Sequence, residues 1–304
     1  MFDENFSYGY NDGICNLRSS PNDKFQCYYT KSRRPFLSLR EEAKRVCDKI
    51  ADAAKSLNRV PTILLSGGLD SEIVVRSFID SKQEFKTISN RFQNDLNIHE
   101  IDYIEKLKKK FTFDHTYYDL DVVQFLISQR AEILIHDSKC TQPEMLPTME
   151  LIYRVYENFN GYPILGNGDL YVSKDMIDNK PQWNYTEFEY ILAWMRFCVK
   201  ENIQGALNFF QYTPEIVLSV GRDQIMGHLF DNSPGGVNNC RSKKYLVYKK
   251  NWIDVELRSK FHGSENIKDL CNEIKFTKCK DYFQYTDQWK MPIESFLNFL
   301  EFNK

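Results

Sequence analysis

The rhythm of apolar positions divides the chain into stretches of different character. Residues 1–37 gather aromatics into two short clusters, Phe6-Ser7-Tyr8-Gly9-Tyr10 and Phe25-Gln26-Cys27-Tyr28-Tyr29, which predicts short strands and turns. Ser38-Leu39-Arg40-Glu41 is a capping-box pattern. The helix it opens carries Ala43, Val46, Ile50, Ala53 and Leu57 as one apolar stripe. From residue 62 to 166 short apolar runs alternate with helical spacing. Strands are predicted over 62–65, 85–89, 115–118 and 162–165, and helices over 72–79, 101–111, 121–136 and 148–159. Strands alternating with helices predict an α/β fold, a doubly wound parallel sheet with helices on both faces. Pro163 is awkward for a central strand, because proline cannot donate to the ladder. Beyond residue 181 the spacing turns helical. Tyr190, Ile191, Trp194, Phe197 and Cys198 suit one helix face, Ala206–Phe210 suits another, and 213–230 a further helix before the Ser233-Pro234-Gly235-Gly236 loop. The expected organisation is a β-rich segment over 1–37, an α/β domain over 38–180 and a mostly helical region over 181–304.

One junction in the α/β stretch carries chemistry. Residues 64–71 read Leu-Leu-Ser-Gly-Gly-Leu-Asp-Ser, between an apolar strand and a helix start. Two glycines let backbone approach a phosphate closely, and turn N–H groups together with a helix N-terminus face negative charge. Ser66 and Ser71 add hydroxyl donors. Asp70 would repel phosphate unless a divalent cation lies between them, so the loop points to nucleotide phosphate with Mg2+. It is neither a Walker A loop, which needs a Gly-Lys-[Ser/Thr] end, nor a dinucleotide Gly-x-Gly-x-x-Gly. Taken without its context, it would be a serine-glycine turn opening an ordinary helix. Ser-Gly-Gly-x-Asp-Ser resembles the pyrophosphate loop of the N-type ATP pyrophosphatases, which have a HUP-like α/β fold. That resemblance implies cleavage of ATP between its α and β phosphates. It also implies that Leu65, Ser66, Gly67, Gly68, Asp70 and Ser71 bind ATP or pyrophosphate, and that adenine lies near Ser89–Arg91.

A second glycine loop, Gly166-Asn167-Gly168-Asp169-Leu170-Tyr171, follows the last predicted parallel strand. In a doubly wound sheet the crevice at the switch point is the expected ligand site. If strands 62–65 and 162–165 flank it, Gly166, Asn167 and Gly168 approach the nucleotide, and Asp70 and Asp169 converge on one Mg2+. Gly-Asn-Gly-Asp by itself reads more simply as a surface turn. With the first motif it resembles the synthetase domain of glutamine-dependent asparagine synthetase, over roughly residues 40–265. The supporting stretches are Asn94-Asp95-Leu96 through Tyr103, Gln142–Thr148, Arg241–Leu246 and Arg258–Gly263. The resemblance implies catalytic roles for Lys244 and Lys260 at the phosphates and adenylate. It implies an AMP- and pyrophosphate-forming ligase that adenylates a carboxylate or amide for attack by ammonia or an amine. The chain also departs from the family. Position 2 is Phe2, where the family's glutaminase has its cysteine nucleophile, so ammonia or an amine would come from elsewhere, a separate glutaminase partner included. Asn167 and Leu170 stand where the family has glutamates.

Composition sharpens this picture by exclusion. A net charge of −2 with 27% charged residues, over 304 residues, offers no basic excess for general nucleic-acid binding. Lys108-Lys109-Lys110 sits where cations suit a helix C-terminus. No apolar run approaches the roughly 18 residues of a membrane span, and Met1–Asn5 has no signal-peptide pattern. A cytoplasmic protein is expected. The eight cysteines include no Cys-x-x-Cys pair, so mostly buried free thiols are expected. Two alternatives remain open: a nucleobase- or tRNA-modifying enzyme inserting nitrogen or sulfur, with Cys140 the best-placed thiol, and a nucleotide-binding protein with a degenerate site. Trp183, Tyr185 and Trp194 are candidates for a pocket wall or, more simply, for core.

Overall fold

Four parallel strands form the centre of the fold, and their order places the two glycine loops side by side. The computed structural model describes residues 5–11, 13–14, 18, 20, 22–168, 170–226, 240–257 and 264–302. The aromatic clusters near the N-terminus pair as antiparallel strands β1 (Phe6–Tyr10), β2 (Gly13–Ile14) and β3 (Phe25–Tyr29), in the order β2-β1-β3. Helix α1 (Leu39–Ser56) starts at a complete capping box, Ser38 accepting from the Glu41 N–H while Glu41 accepts from the Ser38 N–H. Then follow β4 (Val60–Leu64), α2 (Leu69–Ser81), β5 (Lys86–Phe92), α3 (Ile98–Lys110) and β6 (Asp114–Leu120). Helices α4 (Val122–Ile127), α5 (Gln129–Ser138) and α6 (Leu146–Asn158) lead into β7 (Gly161–Ile164).

The parallel sheet has the order β6-β5-β4-β7. The chain builds outward from β4 to β6 and then returns to the other side of β4, so the switch point lies between β4 and β7. Alternation along β4 feeds two cores. Ile63 and Leu65 join α1, α2, Ile104 and Leu107 on one face, and Leu64 joins Leu134, Leu151 and Val155 from α5 and α6 on the other. Pro163 is accommodated because β7 is the sheet's edge. Its carbonyl accepts from Ala206 N–H at 2.9 Å, and Leu165 N–H donates to the Ala206 carbonyl at 2.9 Å, covering the rim with one bridge.

Two expectations are corrected. The helix over 121–136 is two helices, because Ser128 is extended and its hydroxyl accepts from Ala131 N–H as the cap of α5. Ala206–Phe210 is not a helix; Ala206 bridges β7 and a single 3-10 turn covers Phe209–Gln211. The mostly helical region after 181 also contributes strands to a second sheet. Strands β8 (Val172–Ile177), β9 (Lys180–Phe188) and β10 (Gln288–Pro292) form a second antiparallel sheet, in the order β10-β9-β8. Tyr29, Tyr185, Trp289 and Phe296 pack together, with Tyr185 stacked on Phe296 at 4.3 Å, and so fasten β3 to this sheet. Helices α7 (Ala193–Lys200), α8 (Pro214–Met226), α9 (Cys240–Asn251), α10 (Lys268–Thr277) and α11 (Ile293–Leu300) complete the chain. The loop expected at 233–236 lies outside the described residues. No helix among those described is long and apolar enough to cross a membrane.

Candidate functional site

The loop between β4 and α2 has the form its sequence requires. Gly67 has φ +69°, and a Cβ there would lie 2.6 Å from the Glu100 carbonyl oxygen, so only glycine fits between the loop and the start of α3. Asn97 fixes that start. It accepts from Phe92 N–H at 2.9 Å and donates to the Asn90 carbonyl at 2.9 Å and to Glu100 at 3.1 Å. Ser71 ties the loop to itself, accepting from Ser66 N–H at 3.2 Å and donating to the Gly68 carbonyl at 3.1 Å. Gly68 is the N-cap of α2 and offers no side-chain cap, so the first N–H groups of the helix face outward as an anion site would need.

Ser89 is buried, and its hydroxyl donates to the Leu65 carbonyl. Leu65 N–H donates to the Ile88 carbonyl at 2.8 Å. Both residues therefore hold the loop's root through β5. Arg91 is paired with Asp119 at the surface.

The second glycine loop lies directly against the first. A Cβ on Gly166 would meet Asp70 C and Ser71 N at 2.8 Å, an approach that excludes any side chain. Gly168 has φ +86°, and a Cβ there would meet Gln211 and Asn208. Phe209 N–H donates to the Leu165 carbonyl at 3.2 Å and Phe210 N–H to the Asn167 carbonyl at 3.0 Å, so the 3-10 turn at Phe209–Gln211 supports this loop from below.

Helix α9 supplies the cation. Lys244 Nζ lies 2.8 Å from Asp70 Oδ2, and Tyr248 donates its hydroxyl to Asp70 Oδ1 at 2.5 Å. One turn further on, Trp252 Nε1 donates to Asp80 at 3.0 Å. Lys244 and Tyr248 are four apart on one face of α9 that meets the start of α2, and Trp252, just past the helix, meets the end of α2. Tyr248 is buried and stacks on Phe210 at 5.7 Å, linking this face to the second loop's support. Tyr248 escaped the sequence reading, although its i+4 spacing from Lys244 was the available signal.

Beside Asn167 and Gly168 opens a cavity of about 450 Å3, whose wall includes Tyr171, Glu187, Phe188 and Trp194. Glu187 Oε1 accepts from Tyr29 at 3.0 Å and also from Tyr185 and Gln211. Burial, then the charge of Glu187, pushes the Tyr29 and Tyr185 hydroxyls far above their ordinary range, so both stay donors. Trp194 is thus cavity wall, whereas Tyr185 is fully buried core.

The structure brings together Leu65, Ser66, Gly67, Gly68, Asp70, Ser71, Ser89, Gly166, Asn167, Gly168 and Lys244. Asp169 and Lys260 lie outside the described residues. Cys140 is fully buried, its thiol donates to the Gln142 carbonyl at 3.1 Å, and burial pushes its pKa up, which makes it an inert thiol rather than a sulfur carrier.

Comparison with known proteins agrees with the loop. Residues 48–159 match the family model of asparagine synthase. The matched stretch contains the 65–71 loop and ends before Gly166 and Lys244. The match supports an ATP-dependent, ligase-type enzyme of the ATP pyrophosphatase kind in general terms. A solved structure of NMN synthetase from Francisella tularensis is similar at 12% identity, covering 80% of this chain and 96% of that one, with a TM-score of 0.36. No curated protein matches the sequence.

Proposed function

We propose, from the premise that an asparagine-synthase-like segment carries the phosphate loop, that this protein is an AMP- and pyrophosphate-forming ligase. Its substrates are ATP, a small molecule bearing a carboxylate or amide, and ammonia or an amine. The observation that carries the reading is the convergence of Lys244 and Tyr248 on Asp70 within a Ser-Gly-Gly-x-Asp-Ser loop. A cation, a glycine cradle and a helix N-terminus at one point suit a polyphosphate leaving group.

The loop 66–71 and the N-terminus of α2 would hold the β- and γ-phosphates, with Lys244 offsetting charge as it gathers on the departing pyrophosphate. Gly166 keeps the second loop close enough for backbone to border the α-phosphate. A substrate oxygen attacks the α-phosphorus, pyrophosphate leaves, and the amine then displaces AMP. One carboxylate, Asp70, with phosphate oxygens and water is a ligand set that Mg2+ accepts, and Asp169 is the second carboxylate by resemblance. When bound, the ion would neutralise phosphate charge during departure. The nitrogen donor would be free ammonia or an amine, or ammonia passed from a separate glutaminase. A cytoplasmic setting suits these substrates.

The test is release of AMP and pyrophosphate from ATP and Mg2+ with a panel of acids and amides plus ammonium. Wild-type protein should release both, and Asp70→Ala should release neither while staying folded. A wild-type protein that binds ATP yet forms no AMP with any member of the panel would refute the reading in favour of a nucleotide-binding protein without turnover.

A further inference from the structure

Asp70 is gripped from α9 by two side chains of different kind. Lys244 Nζ donates to its Oδ2 at 2.8 Å and the Tyr248 hydroxyl to its Oδ1 at 2.5 Å. Tyr248 is buried and stacked on Phe210, whose N–H donates to the Asn167 carbonyl, so this hydroxyl is fixed by the packing that supports the second loop. It is neutral, and a carboxylate oxygen accepts more than one bond, so Tyr248 orients Asp70 without opposing a cation there. Lys244 differs in both respects. It is a charge on a flexible stem, able to change partner by side-chain rotation. Its side chain is 19% exposed and that of Asp70 30%, so the pair is screened only in part. Asp70 also lies in the first turn of α2, whose N-terminus carries about half a positive charge. Carboxylate, lysine and helix end together present positive charge, which repels a bare divalent cation and attracts a polyphosphate.

On the reading of the 66–71 loop as an ATP site, we propose that Lys244 is a displaceable occupant of Asp70. It holds the carboxylate against free divalent cations and passes to the phosphates when nucleotide and cation arrive together. The transfer keeps each charge paired. Lys244 exchanges a carboxylate for phosphate oxygens, and Asp70, still oriented by Tyr248, accepts the cation that the nucleotide brings. One residue then has two effects of opposite sign: Lys244 weakens binding of the cation alone and strengthens binding of the cation with nucleotide. A lysine that only props α9 against α2 would not separate the two.

The experiment is a binding titration that needs no turnover. The probe is Mn2+, followed by electron paramagnetic resonance, alone and together with α,β-methylene-ATP, which is not cleaved between its α and β phosphates. Lys244→Met should bind Mn2+ alone at least about tenfold more tightly than the parent protein, and Mn2+ with the nucleotide at least about tenfold more weakly. Lys244→Arg keeps the charge and should hold Mn2+ alone within about twofold of the parent. Adding Asp70→Asn to Lys244→Met should abolish the gain; Asp169 is common to all these proteins, so its contribution cancels in the comparison. Lys244→Gln carries the same test if the methionine variant fails to fold. Equal or weaker binding of Mn2+ alone by the uncharged variant, or a gain that survives Asp70→Asn, overturns the proposal. A gain without AMP formation from any acid or amide would remove the ligase reading and leave this one standing, and AMP formation without the gain would do the reverse.

Discussion

Replacing Gly166 with alanine tests whether the two glycine loops form one phosphate site. The added Cβ would stand 2.8 Å from Asp70 C and Ser71 N and 3.0 Å from Asp70 O. Comfortable carbon contacts lie near 3.5 Å, so the loops must part by about 0.7 Å. The atoms in the way are backbone, anchored through Ser71 to Ser66 and Gly68, and no side-chain rotation relieves them. Overpacking of this kind costs about 1–3 kcal/mol, which for a chain of this size lowers the melting temperature by a few degrees. The larger effect is positional. A shift approaching 1 Å between the β,γ-phosphate cradle and the loop bordering the α-phosphate should lower turnover by roughly tenfold to a hundredfold. Pyrophosphate release measured against ATP concentration should show a raised KM and a reduced kcat, and calorimetry should show weaker ATP binding. If Gly166→Ala binds ATP and releases pyrophosphate like the parent protein, the loops do not share the nucleotide and the site is misassigned.

Lys244→Met removes the cation beside Asp70 and should slow pyrophosphate release by about a hundredfold, with partial recovery in Lys244→Arg; an unchanged rate would place the lysine outside the site. Burial, with help from the Lys108 charge, depresses His115 from its ordinary value near 6.5 to about 4. Between those values the unfolded chain takes up a proton that the native chain declines, so this residue's contribution falls as pH drops from 6.5 to 4 and is flat above that window. Urea unfolding of His115→Asn across the same range should show a shallower loss than the parent, and parallel curves would contradict the assignment. Cys140→Ser should keep turnover within about twofold, since the thiol is buried and serine can donate to the same Gln142 carbonyl; loss of product with retained ATP binding would restore the sulfur-transfer reading.

The phosphate loop was legible because its determinants are local. An apolar run, two glycines and a helix start within ten residues have few alternative structures, and Gly67 and Gly68 adopt the turn such a pattern demands. The position of β7 beside β4 followed from switch-point topology, which needs only the order of strands. Tyr248 could not be found this way, because its hydroxyl reaches a carboxylate 178 positions earlier in the chain. Strand β10 was hidden for a related reason. Gln288–Pro292 alternates polar and apolar over only four residues before a proline, and its partners are Asn184–Phe188, far upstream. Ser128 broke an apolar helical run invisibly, since a serine inside a helix and a serine capping one look alike until the backbone is placed.

Asn167 shows how the same limit affects chemistry. Read along the chain, an asparagine where the resemblance implies a glutamate is a lost carboxylate, and so a sign of decay. In the folded protein Glu187 reaches the wall of the same cavity from β9, twenty residues later, held by Tyr29, Tyr185 and Gln211. The cavity wall keeps a carboxylate, fixed by three donors on one oxygen. A buried carboxylate with three donors thus stands beside a glycine loop tight enough to exclude a Cβ. The exchange at 167 therefore leaves a carboxylate in the cavity wall and leaves the contact of Gly166 with the phosphate loop unchanged.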